Sequence, residues 1–486
     1  MINFLANLFQ KKTIQNITLF NTLSREKETL IPIRSRHILF YQCGPTVYWT
    51  QHIGNLRASV MADIILRTLQ YIGYDVKFVR NYTDVGHLVS DRDAGEDKME
   101  KGVKREGLSP TEIANKYIKI FEADNKDLNN LKPSVKPKAT EYIKEMQTLI
   151  QTLLDKGFAY ITPLAIYFDI SRVKDYTKLS RQVLEENREG AGNGEVEDPQ
   201  KKNSADFVIW FFRAGKHENA LQYWSSPFSS PLVKNGNGFP GWHSECSAMS
   251  KKLLADTIDI HMGGIEHITV HHTNEIAQSE SANGVPLAHY WLHNEHLMVN
   301  GGKMSKSEGT TFSLAEIKEK GFNPIALRYF YLQAHYRSKQ NFTWEALESS
   351  QTGYTRLVEN VSSLGNNIGK INPVFKQSFT EVISDDFNLS QGLAITFNLL
   401  KSDISNEDKL ATILDFDKVL GLNLKQALNN AKVKLEIPEN IQKLFTERKI
   451  SREHKDWGKS DQLRDQLLTL GYEIKDTDQG QQINKI

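Results

Sequence analysis

Three groups of residues in this chain have types and spacings suited to chemistry. Lys303-Met304-Ser305-Lys306-Ser307 follows the apolar strand and turn LMVNGG and precedes Glu308-Gly309. Two lysines three apart on a loop, with hydroxyls beside them, can grip a polyphosphate; an exposed basic turn has the same composition. Gln51 to Asn55 spells QHIGN between the end of one predicted strand and the start of a predicted helix. A helix N-terminus presents free backbone N–H groups and a partial positive charge, both suited to phosphate. His52 is placed to donate to a phosphate oxygen and Gly54 lets the backbone approach closely, although a histidine here also suits an ordinary helix cap. In the third group, Cys43 precedes Gly44-Pro45-Thr46, Cys246 lies in GWHSECSAMS, and His271 and Glu275 sit four apart in HHTNEIAQSE. If that last string is helical, His271 and Glu275 share a face. Two thiolates, an imidazole and a carboxylate make a Zn²⁺-capable set. Free cysteines also pack as small buried hydrophobes, and the long separation of Cys43 from Cys246 leaves both readings open.

These residues need elements to hold them. His37 to Tyr41 (HILFY) predicts a strand that runs into the loop QCGPTVYWTQHIGN. A helix is expected from near Leu56, with Met61, Ile64, Ile65, Leu69 and Ile72 at helical spacing and Gly73 to end it. Val76 to Val79 predicts a second strand, leading into Asn81-Tyr82-Thr83-Asp84. Strand, glycine-containing turn, helix and strand predict a doubly wound α/β nucleotide-binding half. The charged, glycine-punctuated stretch from Asp84 to Gly107 reads as a long active-site loop or a solvated linker. Helical spacing returns from Tyr142 to Leu154 and stops at Gly157, and Ala165 to Ile170 and Ala205 to Phe212 read as strands of a small inserted domain. The polar stretch between Arg181 and Ser204 reads as an insertion surface. Ser313 and Glu316 form a capping-box pattern. Helical patterns then dominate to about Leu428, and Pro438 opens a last unit of alternating charge.

Composition narrows the class. A chain of 486 residues exceeds one compact core, so two to four domains are expected. With 39% hydrophobic and 24% charged residues it reads as a globular enzyme and not a disordered chain. No apolar run is long enough to span a bilayer, and the start MINFLANLFQKK has the wrong order for a secretory signal. Two cysteines exclude a disulfide framework and suggest a reducing cytoplasm. A net charge of +1 argues against a general nucleic-acid coat and leaves room for a partner held by local basic patches.

The HIGN and KMSKS strings together resemble the signature pair of class I aminoacyl-tRNA synthetases. In order, CGPTVY, HIGN, GWHSECSAM, HHTNEIAQS and KMSKS closely resemble the cysteinyl-tRNA synthetases, and the likeness runs from LFNTLSR (Leu19 to Arg25) to the C-terminal DQLRDQLLTLGYEIKDTDQG. The resemblance implies one Zn²⁺ per chain on Cys43, Cys246, His271 and Glu275, with the substrate thiol joining the metal. A thiolate binds zinc and a serine hydroxyl does not, so such a site rejects serine without editing. It further implies a cysteine pocket of Cys43, Gly44, Thr83, Trp242 and His261, with Trp242 and His261 packed around the substrate and Thr83 near its amino group. ATP binding and catalysis fall to His52, Gly54, Asn55, Lys303 and Lys306, with Mg²⁺ accompanying ATP. Asn55 replaces the second histidine of the usual HIGH motif, and its amide donates at any pH. The implied partners are ATP, L-cysteine and tRNA(Cys), for a cytoplasmic monomer with no membrane association.

The implied architecture is a Rossmann-like doubly wound parallel sheet split by an inserted domain, followed by an all-α helical bundle and a small C-terminal domain. Residues 1–18 form an extension, 19–149 and 231–300 the two catalytic halves, and 150–230 the insertion. Residues 301–345 carry the KMSKS loop and a tRNA stem-contact region, 346–437 the bundle and 438–486 an anticodon-binding unit. In that last unit Arg448, Lys449, Arg452, Lys455 and Lys459 are candidates for phosphate contact, with Trp457 and Tyr472 for base stacking. Two alternatives stand beside this reading. A cysteine ligase acting on an amino sugar, of the mycothiol type, would share the catalytic core and zinc set but lack a C-terminal anticodon unit. An inactive paralogue would bind only RNA or zinc. The long stretch after KMSKS argues against the first, and intact motifs argue against the second.

Overall fold

A computed structural model describes residues 15–86, 98–182, 198–304, 309–435, 438–477 and 480–485. At its centre lies a parallel four-stranded sheet in the order Ala288–Asn294, Ile258–Gly264, His37–Gln42, Asp75–Arg80. Side chains alternate across a strand, and here the alternation builds two cores. Phe40, Phe78, Ile260, Met262 and Leu292 pack with the helix Ile53–Ile72 on one face. Tyr41, Val79 and Trp291 pack on the other face with the helices Ile143–Asp155, Trp242–Leu253 and His271–Asn283. Helices on both faces of a parallel sheet are the doubly wound arrangement expected from the sequence. The helix expected from near Leu56 begins at Ile53, because His52 caps it, and ends at Gly73 with φ 112°.

The insertion follows the helix Ile143–Asp155 as an antiparallel meander of Ala159–Ile161, Ala165–Phe168, Phe207–Phe212 and Gly238–Pro240. Its sheet therefore reaches Pro240, past residue 230. Phe207–Phe212 (FVIWFF) is buried along its whole length, as a strand covered on both faces requires. Most of the polar stretch expected between Arg181 and Ser204 lies outside the described residues.

The stretch from Asp84 to Gly107 is not a loop throughout. Lys98–Glu106 is a helix, followed by Pro110–Asp127 with Ser109 and Glu112 in a capping box. The first of these is built mostly of good helix formers but has a glycine inside it, which costs about 1 kcal/mol against alanine. Packing decides instead: Met99 and Gly102 are buried, and a Cβ on Gly102 would lie 3.1 Å from Ile113 Cγ2 and 3.4 Å from Tyr48 O. Residues 87–97 lie outside the described residues.

Beyond the sheet, Leu297–Val299 pairs antiparallel with Gly302–Lys303 and parallel with Gln340–Phe342. Ser313 and Glu316 form the expected capping box. Helices Pro324–Leu332, Trp344–Ser363, Pro373–Ser384, Leu389–Lys401, Asn406–Leu420 and Leu424–Leu435 form the helical region, whose buried residues continue the core under Ile53–Ile72. Pro438 then caps Glu439–Glu453, which with Trp457–Thr469 and the hairpin Tyr472–Thr477/Gly480–Lys485 encloses a separate small core of Ile441, Leu467, Tyr472 and Ile474.

Candidate active site

A cleft of about 340 Å³ opens at the C-terminal ends of the parallel strands, lined among others by Cys43, Gly44, His52, Asn55, Thr83, Trp242, Cys246 and His271. Ligands of open α/β sheets bind at this edge. Cys43 stands one residue past the strand His37–Gln42, and Cys246 and His271 project from the helices Trp242–Leu253 and His271–Asn283. The ligating atoms of Cys43, Cys246, His271 and Glu275 all lie within 4.8 Å of one another. A tetrahedral zinc with bonds of about 2.3 Å to sulfur and 2.1 Å to oxygen has S–S and S–O edges of about 3.8 and 3.6 Å. Here Cys43 Sγ lies 3.7 Å from Cys246 Sγ and 3.6 Å from Glu275 Oε1. His271 Nε2 sits closer to Glu275 Oε1, at 2.9 Å, in a direct ion-paired contact. The donor set and its spacing therefore fit a metal of zinc's type.

A second set, Cys43, His261, His272 and Glu275, also meets the distance condition. It shares two members with the first, but His261, His272 and Glu275 are fully buried and none of them lines the cleft. Only the first set has three members facing the space where a substrate would sit.

Electrostatics agree with a cation at this point. The hydrogen bond from Cys43 lowers the Cys246 thiol to about 7, against burial and with help from His271. Burial pushes the Cys43 thiol up. Burial opposes charge on His271, yet Glu275 and Cys246 raise it to about 10. Burial alone would raise Glu275, but His261 and His271 hold it well below the usual carboxylate range. The cluster thus pairs a depressed carboxylate, Glu275, and a depressed thiol, Cys246, with one raised histidine, His271.

The other expected residues fall as follows. Gly44 approaches the next strand so closely that a Cβ would sit 1.6 Å from Asn81 O, which only glycine allows. Its N–H donates to Asn81 Oδ1 at 2.8 Å. Thr83 Oγ1 accepts from Asn81 Nδ2 and donates to the buried Glu245 Oε2, both at 3.2 Å. Burial pushes Glu245 well above the usual carboxylate range. Trp242 forms a wall of the cleft and stacks on His271 at 4.2 Å between centroids. His261 lies behind the cleft, 3.2 Å from Glu275 Oε2 and stacked on Tyr41. His52 is both helix cap and cleft residue: its Nδ1 accepts from Gly54 N and Asn55 N at 3.1 and 3.3 Å. That bonding fixes the tautomer with the proton on Nε2. Asn55 Oδ1 accepts from His52 N, leaving its N–H₂ to donate. Ile53 N donates to Phe312 O, and Met304 packs over Gly54, so the segment after the KMSKS string docks on the HIGN turn. Lys303 is exposed at the end of its hairpin. Ser305, Lys306 and Ser307 lie outside the described residues.

Sequence reasoning did not find His243, His272, His293, Asn81 or Glu245. His243 Nδ1 lies 3.0 Å from His271 Nδ1, and His272 Nε2 3.3 Å from Cys43 Sγ. Burial holds His272 and His293 well below the ordinary histidine value. The available signal was the doubled histidine of HHTNE and the histidine beside Trp242.

This sheet, with a helix N-terminus and a lysine-bearing loop at its C-terminal edge, is the catalytic fold of class I aminoacyl-tRNA synthetases. Mycobacterium tuberculosis methionyl-tRNA synthetase in complex with methionyl-adenylate is similar in fold, with a TM-score of 0.53 and 14% identity over 81% of this chain and 91% of that one. Residues 29–352 match the model of the class I (C) tRNA synthetase catalytic domain, and 435–483 that of the cysteinyl-tRNA ligase anticodon binding domain. Cysteine–tRNA ligase 1 of Burkholderia lata is 41% identical over 96% of each chain, and the cysteine–tRNA ligase of Treponema denticola 40% identical over 95% of this chain and 98% of that one. The chain belongs to the cysteinyl-tRNA synthetase family. The match at 435–483 removes the ground for an amino-sugar ligase, which would lack that unit. No described helix is long and apolar enough to cross a membrane.

Proposed function

We propose that the protein joins cysteine to tRNA(Cys) in two steps. The cysteine carboxylate attacks the α-phosphorus of ATP, the bond to the β-phosphate breaks, and pyrophosphate leaves. The terminal adenosine of the tRNA then attacks the activated carbonyl through its 2′-hydroxyl, and AMP leaves. The observation that carries this reading is the placement of a metal-type donor set and a capped helix N-terminus in one cleft. Zn²⁺ on Cys43, Cys246, His271 and Glu275 would supply a soft Lewis acid that accepts a substrate thiolate and not a hydroxyl. Trp242 and Thr83 bound the rest of the amino acid, and Gly44 brings the backbone close to it. His52 Nε2–H, the Asn55 amide and the first helix amides stabilise charge developing at the α-phosphate. Lys303 and Lys306 hold the departing phosphates, with Mg²⁺ bound to ATP. Catalysis by these residues is positioning and electrostatics, with no protein nucleophile. ATP–pyrophosphate exchange tests the reading: cysteine should support exchange and serine should not. Exchange supported equally by serine, or by neither, would refute it.

A further inference from the structure

We propose that His272, His293 and Thr22 form a directed hydrogen-bond chain that positions the Cys43 thiolate for metal binding; this rests on the metal assignment made under Proposed function. The contacts run in series. His272 Nε2 lies 3.3 Å from Cys43 Sγ, His272 Nδ1 lies 2.7 Å from His293 Nε2, and His293 Nδ1 lies 2.8 Å from Thr22 Oγ1. A metal-bound thiolate carries no proton and can only accept. His272 must then hold its proton on Nε2, which leaves Nδ1 as an acceptor. His293 must in turn donate from Nε2 and accept at Nδ1, so the Thr22 hydroxyl donates at the end. One chemical fact at the sulfur fixes two tautomers and one hydroxyl rotor.

The surroundings are built to hold this chain. His272 is fully buried and His293 is 5% exposed. Gly263 makes room, since a Cβ there would lie 2.6 Å from His272 Cε1 and 2.8 Å from its Nε2. His293 sits opposite Gly263 in the parallel register. Thr22 is held beside His293 by one backbone bond, Thr22 N to Trp291 O at 2.9 Å, and its neighbour Asn21 accepts at its side-chain Oδ1 from Trp291 N at 3.0 Å. Groups that hydrogen-bond metal ligands orient them and tune their basicity. Here the device reaches from the metal pocket to the turn after the strand Thr18–Asn21, and neither histidine lines the cleft. These are positioning residues and touch no reacting atom.

The test uses the full-length zinc protein and its cobalt-substituted form, with metal per chain, rate of metal transfer to a competing chelator, and the thiolate-to-cobalt absorption band as readouts. Thr22→Val and His293→Leu break the chain, while Thr22→Ser and His293→Gln keep a donor in place. The first two should still bind one metal per chain but release it on the order of tenfold faster or more, the low end for loss of such a partner. They should shift the cobalt–thiolate band and raise KM for cysteine while leaving KM for ATP unchanged. The serine and glutamine variants should stay near the parent. Parental release rates in folded Thr22→Val and His293→Leu would overturn the proposal, as would equal losses in the conservative variants, which would mean a packing effect only. A parent protein that binds no metal would overturn the metal assignment and the proposal together.

Discussion

At the scale of single side chains, Cys246 is where the proposed metal recognition can be tested apart from the proposed nucleotide chemistry. It is 1% exposed, yet it lines the cleft and stands a tetrahedral edge from Cys43. Cys246→Ser replaces a soft ligand by a hydroxyl that does not ionise near neutrality. The variant should lose most of its metal by elemental analysis and bind cysteine far more weakly, while ATP binding, proposed for His52, Asn55 and the KMSKS lysines, changes little. Lys306→Ala addresses the opposite end of the reaction. A lysine that grips leaving phosphates acts mainly in the transition state. A rapid-quench measurement should therefore show adenylate formation slowed by about 100-fold or more, the scale seen when one charge-stabilising donor is removed, with cysteine binding retained. Cys246 was legible as a cleft residue because it stands in a compact local string, and the structure brings it to the cleft beside Cys43; Lys306 was singled out the same way and lies outside the described residues. His272 and His293 were not, because they meet through the register of two parallel strands and a helix start, a relation no short string encodes.

Asp63 shows what the elements themselves require. It lies on the helix Ile53–Ile72, whose N-terminus serves the cleft, and it is 2% exposed. Its Oδ2 accepts from Arg67 Nε at 2.8 Å and Arg328 Nη2 at 2.6 Å, and its Oδ1 from Leu131 N at 2.7 Å. Arg328, on Pro324–Leu332, donates to Leu420 O and Leu128 O, and Arg67 to Lys418 O and Asn129 O. One carboxylate thus ties the cleft helix to the helical region. Burial alone would raise Asp63, but Arg328, then Arg67 and the Leu131 amide, bring it below the ordinary aspartate value. A carboxyl lower in the folded than the unfolded state stabilises fully above the unfolded value and less as pH falls through the folded one. Asp63→Asn leaves two buried guanidinium groups without their charge partner and should cost about 3–5 kcal/mol at neutral pH by urea unfolding. The gap to the parent should narrow as pH falls below the ordinary aspartate range; a gap independent of pH would mean the charge is not the cause. The capping patterns at Ser313 and Gly73 were readable because they are local. The helix Lys98–Glu106 was not, because it depends on Gly102 meeting Tyr48 and Ile113.

At the scale of the whole molecule, the question is whether the C-terminal unit serves the chemistry or the choice of tRNA. Residues 438–485 enclose a core of their own around Ile441, Leu467, Tyr472 and Ile474, apart from the core beneath the cleft. The charged face expected from sequence is partly structural. Arg448 is 1% exposed and is held by Asp476 and Gln481, and Arg452 shares Asp476. Tyr472 is buried and cannot stack on a base. Lys449, Lys455 and Lys459 remain exposed, and Trp457 is 56% exposed with Arg452 over its ring. An exposed aromatic ring beside lysines suits an unpaired base and its phosphates. Deleting 438–486 should therefore leave cysteine-dependent ATP–pyrophosphate exchange within about twofold of the parent, since the cleft proposed for adenylation lies over a separate core. The same deletion should raise KM for tRNA(Cys) and weaken discrimination against other tRNAs. Trp457→Ala, which removes no core contact, should reproduce part of that KM rise, by the loss of about 1–3 kcal/mol that a stacked base contributes. Equal loss of exchange and charging in the deletion would mark the unit as structural, and unchanged charging in both variants would mean that this surface does not meet tRNA.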